Sequence, residues 1–141
     1  SFNSYLPLLL AMPLPEALAA YLTGGVEWGR THMGFLRFIA RAAYQGDPDL
    51  TEQVARPIAT NLREMVHAML AQAVERGEIR EDVDLDAVVR LIHALTLAIG
   101  DTQLLPYLNT YFQVEDDDMP PERILDALVT LILQGIGTQE V

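Results

Sequence analysis

Residues 61–100 read NLREMVHAMLAQAVERGEIREDVDLDAVVRLIHALTLAIG, and this stretch decides the fold class. From Ile58 to Ala73, apolar residues recur every three or four positions, which is the spacing of one face of an α-helix. Gly77 has no Cβ and suits the left-handed conformation that ends a helix. Asp84 can cap a second helix, which the pattern predicts to run to about residue 105. The stretch therefore predicts two helices joined by a short polar turn.

The rest of the chain also shows helical spacing. Further helices are predicted over residues 15–31, from 35 to 42, and from Pro120 or Pro121 to about 135. The segment GDPDL, residues 46–50, predicts a turn, with Asp49 or Thr51 as the next helix cap. Pro57 should start the central helix or kink a longer one, and residues 107–119 are expected to be a linker. No run alternates with the period of a strand, so the fold class is all-α.

Length and composition indicate one domain and exclude two broad classes of protein. The 141 residues predict a single domain, 1–141, of five to six helices. Half of the residues are apolar, which excludes a disordered chain. Nine arginines, no lysine and twenty acidic residues give a net charge of -11. The chain therefore lacks the basic surface that binds nucleic acid.

The sequence carries no signal for export or for a membrane span. The first 22 residues lack a basic segment and are interrupted by Pro7, Pro13 and Pro15. The apolar stretch 85–100 contains charged side chains, which disfavour a span. Cysteine is absent, so disulfides are excluded. We expect a soluble, cytoplasmic protein with no membrane partner.

The last two predicted helices are apolar around nearly their whole circumference. A small domain can cover only one side of two terminal helices, so the other side requires a second molecule. We expect a homodimer in which two helices from each chain form an intersubunit four-helix bundle. The expected interface residues are Val88, Ile92, Leu95, Ile99, Leu125, Leu128 and Ile132. The alternative is that one of these helices is the central helix of a monomeric bundle.

The sequence contains no complete catalytic or metal-binding pattern. Glu64 and His67 have the Glu-x-x-His spacing of di-iron bundles, but the second copy and the two further glutamates are missing. Phosphate loops and nucleophile motifs are also missing. We therefore expect no enzymatic activity, no metal and no other cofactor.

Bulky and adaptable side chains on the amphipathic helices suit a pocket for an apolar or aromatic small molecule. The expected ligand-binding residues are Trp28, His32, Phe35, Phe38, Met65, Met69, Tyr107 and Tyr111. The alternative for each of them is an ordinary place in the hydrophobic core.

Three segments give the chain a family resemblance. These are NLREMVHAMLAQAV at 61–74, ERGEIREDVDLDAV at 75–88 and PPERILDALVTLILQGI at 120–136. The order of a long helix ending in Glu-Arg-Gly, a polar connection and an Asp-capped apolar helix resembles the C-terminal regulatory domain of the TetR family of transcriptional regulators. The resemblance covers residues 15–137.

The resemblance implies a ligand-sensing domain whose last two helices pair with those of a second subunit, with one pocket per subunit. It also implies that an N-terminal helix-turn-helix domain, absent from this chain, binds operator DNA in a longer repressor. Residues 1–12 would be the remainder of the connecting helix. Ligand binding would change the spacing of the DNA-binding domains. The alternative is a helical bundle with a purely structural or protein-interaction role.

Overall fold

A computed structural model of the chain describes residues 2–139, with side chains from Ser4 onward. The helices are α1 (Phe2–Ala11), α2 (Leu14–Thr31), α3 (Met33–Gln45), α4 (Pro48–Leu50), α5 (Arg56–Glu75), α6 (Leu85–Leu104), α7 (Asn109–Phe112) and α8 (Pro121–Ile136). A π-helical segment, Thr51–Ala55, joins α4 to α5, and a 3-10 turn, Pro106–Leu108, joins α6 to α7. No strand occurs within the described range, where β-pairing is limited to two isolated bridges. The predicted all-α class is confirmed.

The two helix boundaries at the centre of the chain are confirmed. Gly77 has a φ of 76°, which is the left-handed conformation expected after α5. The Asp84 carboxylate accepts a hydrogen bond from the Ala87 backbone N–H at 3.2 Å and caps α6. The α6 helix ends at Leu104, two residues before Pro106. Short-range backbone chemistry determines each of these ends.

The predicted cap in the turn at residues 46–50 is wrong. The capping residue is Asp47, whose Oδ1 accepts a hydrogen bond from the Leu50 backbone N–H at 3.0 Å, and not Asp49 or Thr51. Pro48 has no N–H and a fixed φ, so it suits the first position of a helix and leaves the cap to the residue before it. Pro57 is the second residue of α5 and lies in its first turn, directly after the π-helical segment.

The predicted linker at residues 107–119 contains helical structure and a local hydrogen-bond network. The Asn109 Oδ1 accepts hydrogen bonds from the backbone N–H groups of Val114 and Glu115 at 2.8 and 3.2 Å. Its Nδ2 donates to the Glu115 carbonyl at 2.6 Å. Gln113 ends α7 in a left-handed conformation, with a φ of 52°. One asparagine therefore organises the connection from α6 to α8.

The main core is assembled from α2, α5, α6 and α8. Its larger buried side chains are Leu14, Leu18 and Leu22 from α2, Val66, Met69 and Leu70 from α5, Val89, Ile92 and Ile99 from α6, and Leu128, Ile132 and Ile136 from α8. The turn between α5 and α6 contributes Ile79, which is fully buried. Each helix thus presents one apolar face inward, and burial of these faces is the dominant stabilising contribution.

The residues around Gly77 tie the end of α1 to the start of α2. The Arg76 guanidinium donates hydrogen bonds to the carbonyls of Leu10 and Met12 at 2.8 and 2.6 Å. It also pairs with the Glu78 carboxylate at 2.8 Å. The other Glu78 oxygen accepts the Leu14 backbone N–H at 2.8 Å. We call this group of contacts the Arg76 junction.

The Arg76 junction also holds the chain at the end of α8. The Arg80 backbone N–H donates to the Ile136 carbonyl at 2.9 Å. Thr138 donates from its backbone N–H to the Glu78 carbonyl and from its hydroxyl to the Gly77 carbonyl, each at 3.0 Å. The ends of α1, α5 and α8 and the start of α2 therefore share one connection.

No single helix in the described range is both long and apolar enough to cross a membrane. One pair, Leu85–Leu104 with Pro106–Phe112, meets the length and composition requirements jointly but is bent by 119°.

Candidate functional site

The structure places the eight predicted ligand-binding residues in different environments. Met65 and Met69 are buried, and Met69 belongs to the main core. Trp28 and His32 stack at the end of α2, with ring centroids 4.1 Å apart. The remaining four are exposed, up to 83% for Tyr111, and these are Phe35, Phe38, Tyr107 and Tyr111. The structure does not gather these eight residues around one of the cavities described below.

The larger cavity is an open groove between α3, α6 and α7, with a volume of about 490 Å³. We call it the apolar groove, and its lining residues are Ala43, Tyr44, Ala94, Leu97, Ala98, Asp101 and Phe112. Three alanines leave the space unfilled, and two aromatic side chains border it. The volume lies in the range of small-molecule sites in proteins.

A tyrosine and a carboxylate form the polar part of the apolar groove. The Tyr44 hydroxyl donates to the Asp101 Oδ2 at 2.9 Å and links α3 to α6. Burial raises the pKa of Asp101, and the Tyr44 hydrogen bond partly opposes this shift. Burial and the neighbouring Asp101 raise the pKa of Tyr44 to about 12. Asp101 is the one charged residue that lines the groove.

The smaller cavity is a polar crevice of about 210 Å³ between α5 and α6. Its lining residues are Arg63, Glu64, His67, Asp86, Val89 and Arg90. The His67 Nε2 lies 3.9 Å from the Asp86 Oδ1, so the histidine of the Glu-x-x-His motif faces a carboxylate of α6. No group of three or more His, Cys, Asp or Glu residues arranged to hold a metal occurs in the part of the chain that the structure describes.

The predicted interface residues divide between the core and the surface. Four are buried in the chain's own core, namely Ile92, Ile99, Leu128 and Ile132. Val88 and Leu125 are half-buried and pack against that core. Leu95 is 45% exposed. The predicted set thus combines residues on the inward faces of α6 and α8 with Leu95, which lies on the outward face of α6.

Apolar side chains also remain exposed on the outer faces of α6 and α8. The largest are Leu91, 63% exposed, and Leu131, 66% exposed. Leu95 and the alanines Ala87, Ala94 and Ala127 are exposed as well, and we call these six outward residues of the two helices the exposed stripe. Ala94 also lines the apolar groove, so the stripe and the groove adjoin on α6.

Two partly buried side chains, Tyr21 of α2 and His93 of α6, have shifted pKa values. Burial raises the pKa of Tyr21 to about 12, and its hydrogen bond with Thr96 partly opposes the shift. Burial lowers the pKa of His93, and the nearby Arg63 lowers it further. The His93 Nδ1 is buried without a hydrogen-bond partner within residues 2–139.

Sequence reasoning misses the residues of the apolar groove. Tyr44 and Asp101 are 57 positions apart, so no local spacing connects them. The one local signal is Asp101 itself, an acidic residue directly after the mostly apolar run 94–100. In the sequence, Leu91 and Leu131 look like their buried apolar neighbours. Only the packing of the folded chain shows which side of α6 and of α8 is exposed.

Comparison with known proteins identifies the family. Residues 13–99 match the family model described as "Tetracyclin repressor-like, C-terminal domain". Neither a curated protein nor a solved structure matches the chain. The match covers more than half of the chain and includes both the Gly77 turn and the Asp84 cap. The chain therefore belongs to the family of tetracyclin repressor-like C-terminal domains.

Proposed function

We propose that the chain is the effector-sensing and dimerisation domain of a transcriptional regulator, in which ligand binding changes the spacing of DNA-binding domains outside this chain. Family membership supports this proposal, because domains of this family typically bind ligands and dimerise in regulators. The exposed stripe is the observation that carries it. Three leucines on the last two long helices are exposed, and a second subunit would cover them.

The proposed dimer interface is centred on Leu91, Leu95 and Leu131. Burying a leucine side chain contributes about 1.5–3 kcal/mol, so six leucines from two copies give on the order of 10 kcal/mol before the cost of association. The alanines Ala87 and Ala94 allow a partner helix to approach closely. The buried members of the predicted interface pack in the core instead, and these are Ile92, Ile99, Leu128 and Ile132. Val88 and Leu125 are half-buried against that core. Two helices from each chain would complete a four-helix bundle.

The Arg76 junction supports a route from the end of α8 to α1. A ligand changes an equilibrium only by binding one of two arrangements more tightly than the other. In this chain, a displacement of α8 would reach the end of α1 through a connection of hydrogen bonds shorter than 3.1 Å. We propose that α1 is the end of the helix that leads to the DNA-binding domain.

The interface is tested by measuring molecular mass with light scattering. We expect the parent chain to have twice its 15.7 kDa mass. Leu91→Asp and Leu131→Asp should each yield monomers, because an ionised carboxylate cannot be buried unpaired at an apolar interface. Leu8→Asp is the matched control, since Leu8 is similarly exposed but lies on α1. A monomeric parent, or dimers of both stripe variants, would contradict the interface.

A further inference from the structure

The apolar groove has the chemical character of a site for an organic molecule with one charged group. Five of its seven lining residues are apolar, and the rings of Tyr44 and Phe112 border it. The polar contribution comes from one hydrogen-bonded pair, Tyr44 and Asp101. A site of this composition can bury a hydrocarbon body and orient it through a single polar contact.

The charge of Asp101 is not compensated within the described range. Its Oδ2 accepts a hydrogen bond from the Tyr44 hydroxyl, a neutral donor that brings no positive charge. Within the described range no arginine or histidine forms an ion pair with it, although four arginine–carboxylate pairs form elsewhere. A partly desolvated carboxylate of this kind is stabilised by an approaching cation. The Asp101 carboxylate can therefore still form an ion pair with a positively charged ligand.

The charge of the whole chain favours the same kind of ligand. Residues 81–141 contain twelve acidic side chains and two arginines, within a chain of net charge -11. The resulting negative potential attracts cations and disfavours carboxylates, sulfonates and phosphates. Aromatic rings add to this preference, because organic cations are attracted to their faces.

We propose that the apolar groove binds a lipophilic organic cation, with the positive centre beside Asp101 and the apolar body against Ala94, Leu97 and Ala98. This inference rests on the proposed function and names the chemical class of the effector. Because Ala94 belongs to both the groove and the exposed stripe, a second copy on the stripe would lie beside the bound cation.

Calorimetric titration with tetraphenylphosphonium and tetraphenylborate tests the charge preference directly. These two probes have nearly the same shape and opposite charges. We expect the phosphonium to bind at micromolar to submillimolar concentrations and the borate to bind at least tenfold more weakly. Equal affinity for both probes, or no phosphonium binding at 1 mM, would overturn the proposal.

Two variants locate the positive centre. Asp101→Asn keeps the shape of the side chain, removes its charge, and should weaken phosphonium binding at least tenfold. Asp86→Asn is the matched control, since it makes the same change in net charge on an exposed residue of the same helix outside the groove. If both variants bind with equal affinity, the assignment of Asp101 is wrong.

A third variant and a mass measurement separate the possible failures. Ala98→Phe fills the groove with Asp101 intact, and it should also reduce phosphonium binding at least tenfold. If Asp101→Asn does not fold by circular dichroism, Ala98→Phe decides the location of the site. Light scattering on the same parent sample distinguishes the two hypotheses. A dimer that does not bind the phosphonium overturns only the effector class, whereas a monomer overturns the proposed function.

Discussion

At the scale of single residues, the burial of Tyr21 makes the stability of the domain depend on pH. Its ring packs against the core, and its hydroxyl pairs with Thr96 on α6. Burial disfavours the phenolate and raises the pKa to about 12, whereas a tyrosine in the unfolded chain ionises near pH 10. The stabilising contribution is therefore complete below pH 10 and is lost as the pH rises toward 12.

Tyr21→Phe should remove this alkaline dependence. Between pH 9 and 11.5, we expect the free energy of unfolding of the parent to fall by about 2 kcal/mol more than that of the variant. At pH 9, the variant should be less stable by about 1 kcal/mol, because the hydrogen bond to Thr96 is lost. Urea unfolding at both pH values measures the difference. Parallel losses in the two proteins would show that Tyr21 is not the group responsible.

The roles of single residues follow from the sequence less directly than the helices do. Met69 has the composition of a pocket residue and packs in the core, whereas Tyr44 and Asp101 meet across 57 positions. A residue's type describes what it can bind, but its neighbours depend on how α3 and α6 pack. The apolar groove therefore could not be predicted from spacing alone.

At the scale of secondary structure, helix ends are predictable where the decisive chemistry is local. Gly77 and Asp84 act through their own backbone conformation and through the nearest N–H groups. The incorrect prediction of a later cap, Asp49 or Thr51, also has a local cause. Pro48 favours the first position of the helix, so the residue before it becomes the cap. The outward side of α6 is different in kind, since it depends on how α6 packs against α5 and against α2, and α2 is distant in sequence.

The Asp84 cap leads to a prediction with a matched control. Asp84→Ala removes the acceptor for the Ala87 N–H and should lower the free energy of unfolding by about 1 kcal/mol. Asp84→Asn keeps an acceptor at the same position and should cost only a few tenths of a kcal/mol. Thermal and urea unfolding of the two variants measure the difference. Equal losses would mean that charge, rather than the capping hydrogen bond, stabilises this end of α6.

At the scale of the whole molecule, the Arg76 junction joins elements that are far apart in the chain. A single guanidinium binds two carbonyls near the end of α1 and the carboxylate of Glu78, while the following residues bind the end of α8. Helix α1 buries Leu9 but exposes Tyr5 and Leu8, so its own packing is limited. The position of α1 should therefore depend strongly on the junction.

Arg76→Ala should loosen α1 more than it weakens the whole domain. Loss of charge-assisted hydrogen bonds to Leu10 and Met12 should raise amide hydrogen exchange in residues 2–11 about tenfold, with a smaller effect on α5 and α6. Arg80→Ala is the matched control, because among the described residues the Arg80 side chain pairs only with the exposed Asp82, and its backbone N–H is retained. Mass spectrometry of peptides from both variants measures the exchange. If α1 exchanges equally in the two variants, the guanidinium does not fix this helix, and the proposed coupling of α1 to the end of α8 through Arg76 is wrong.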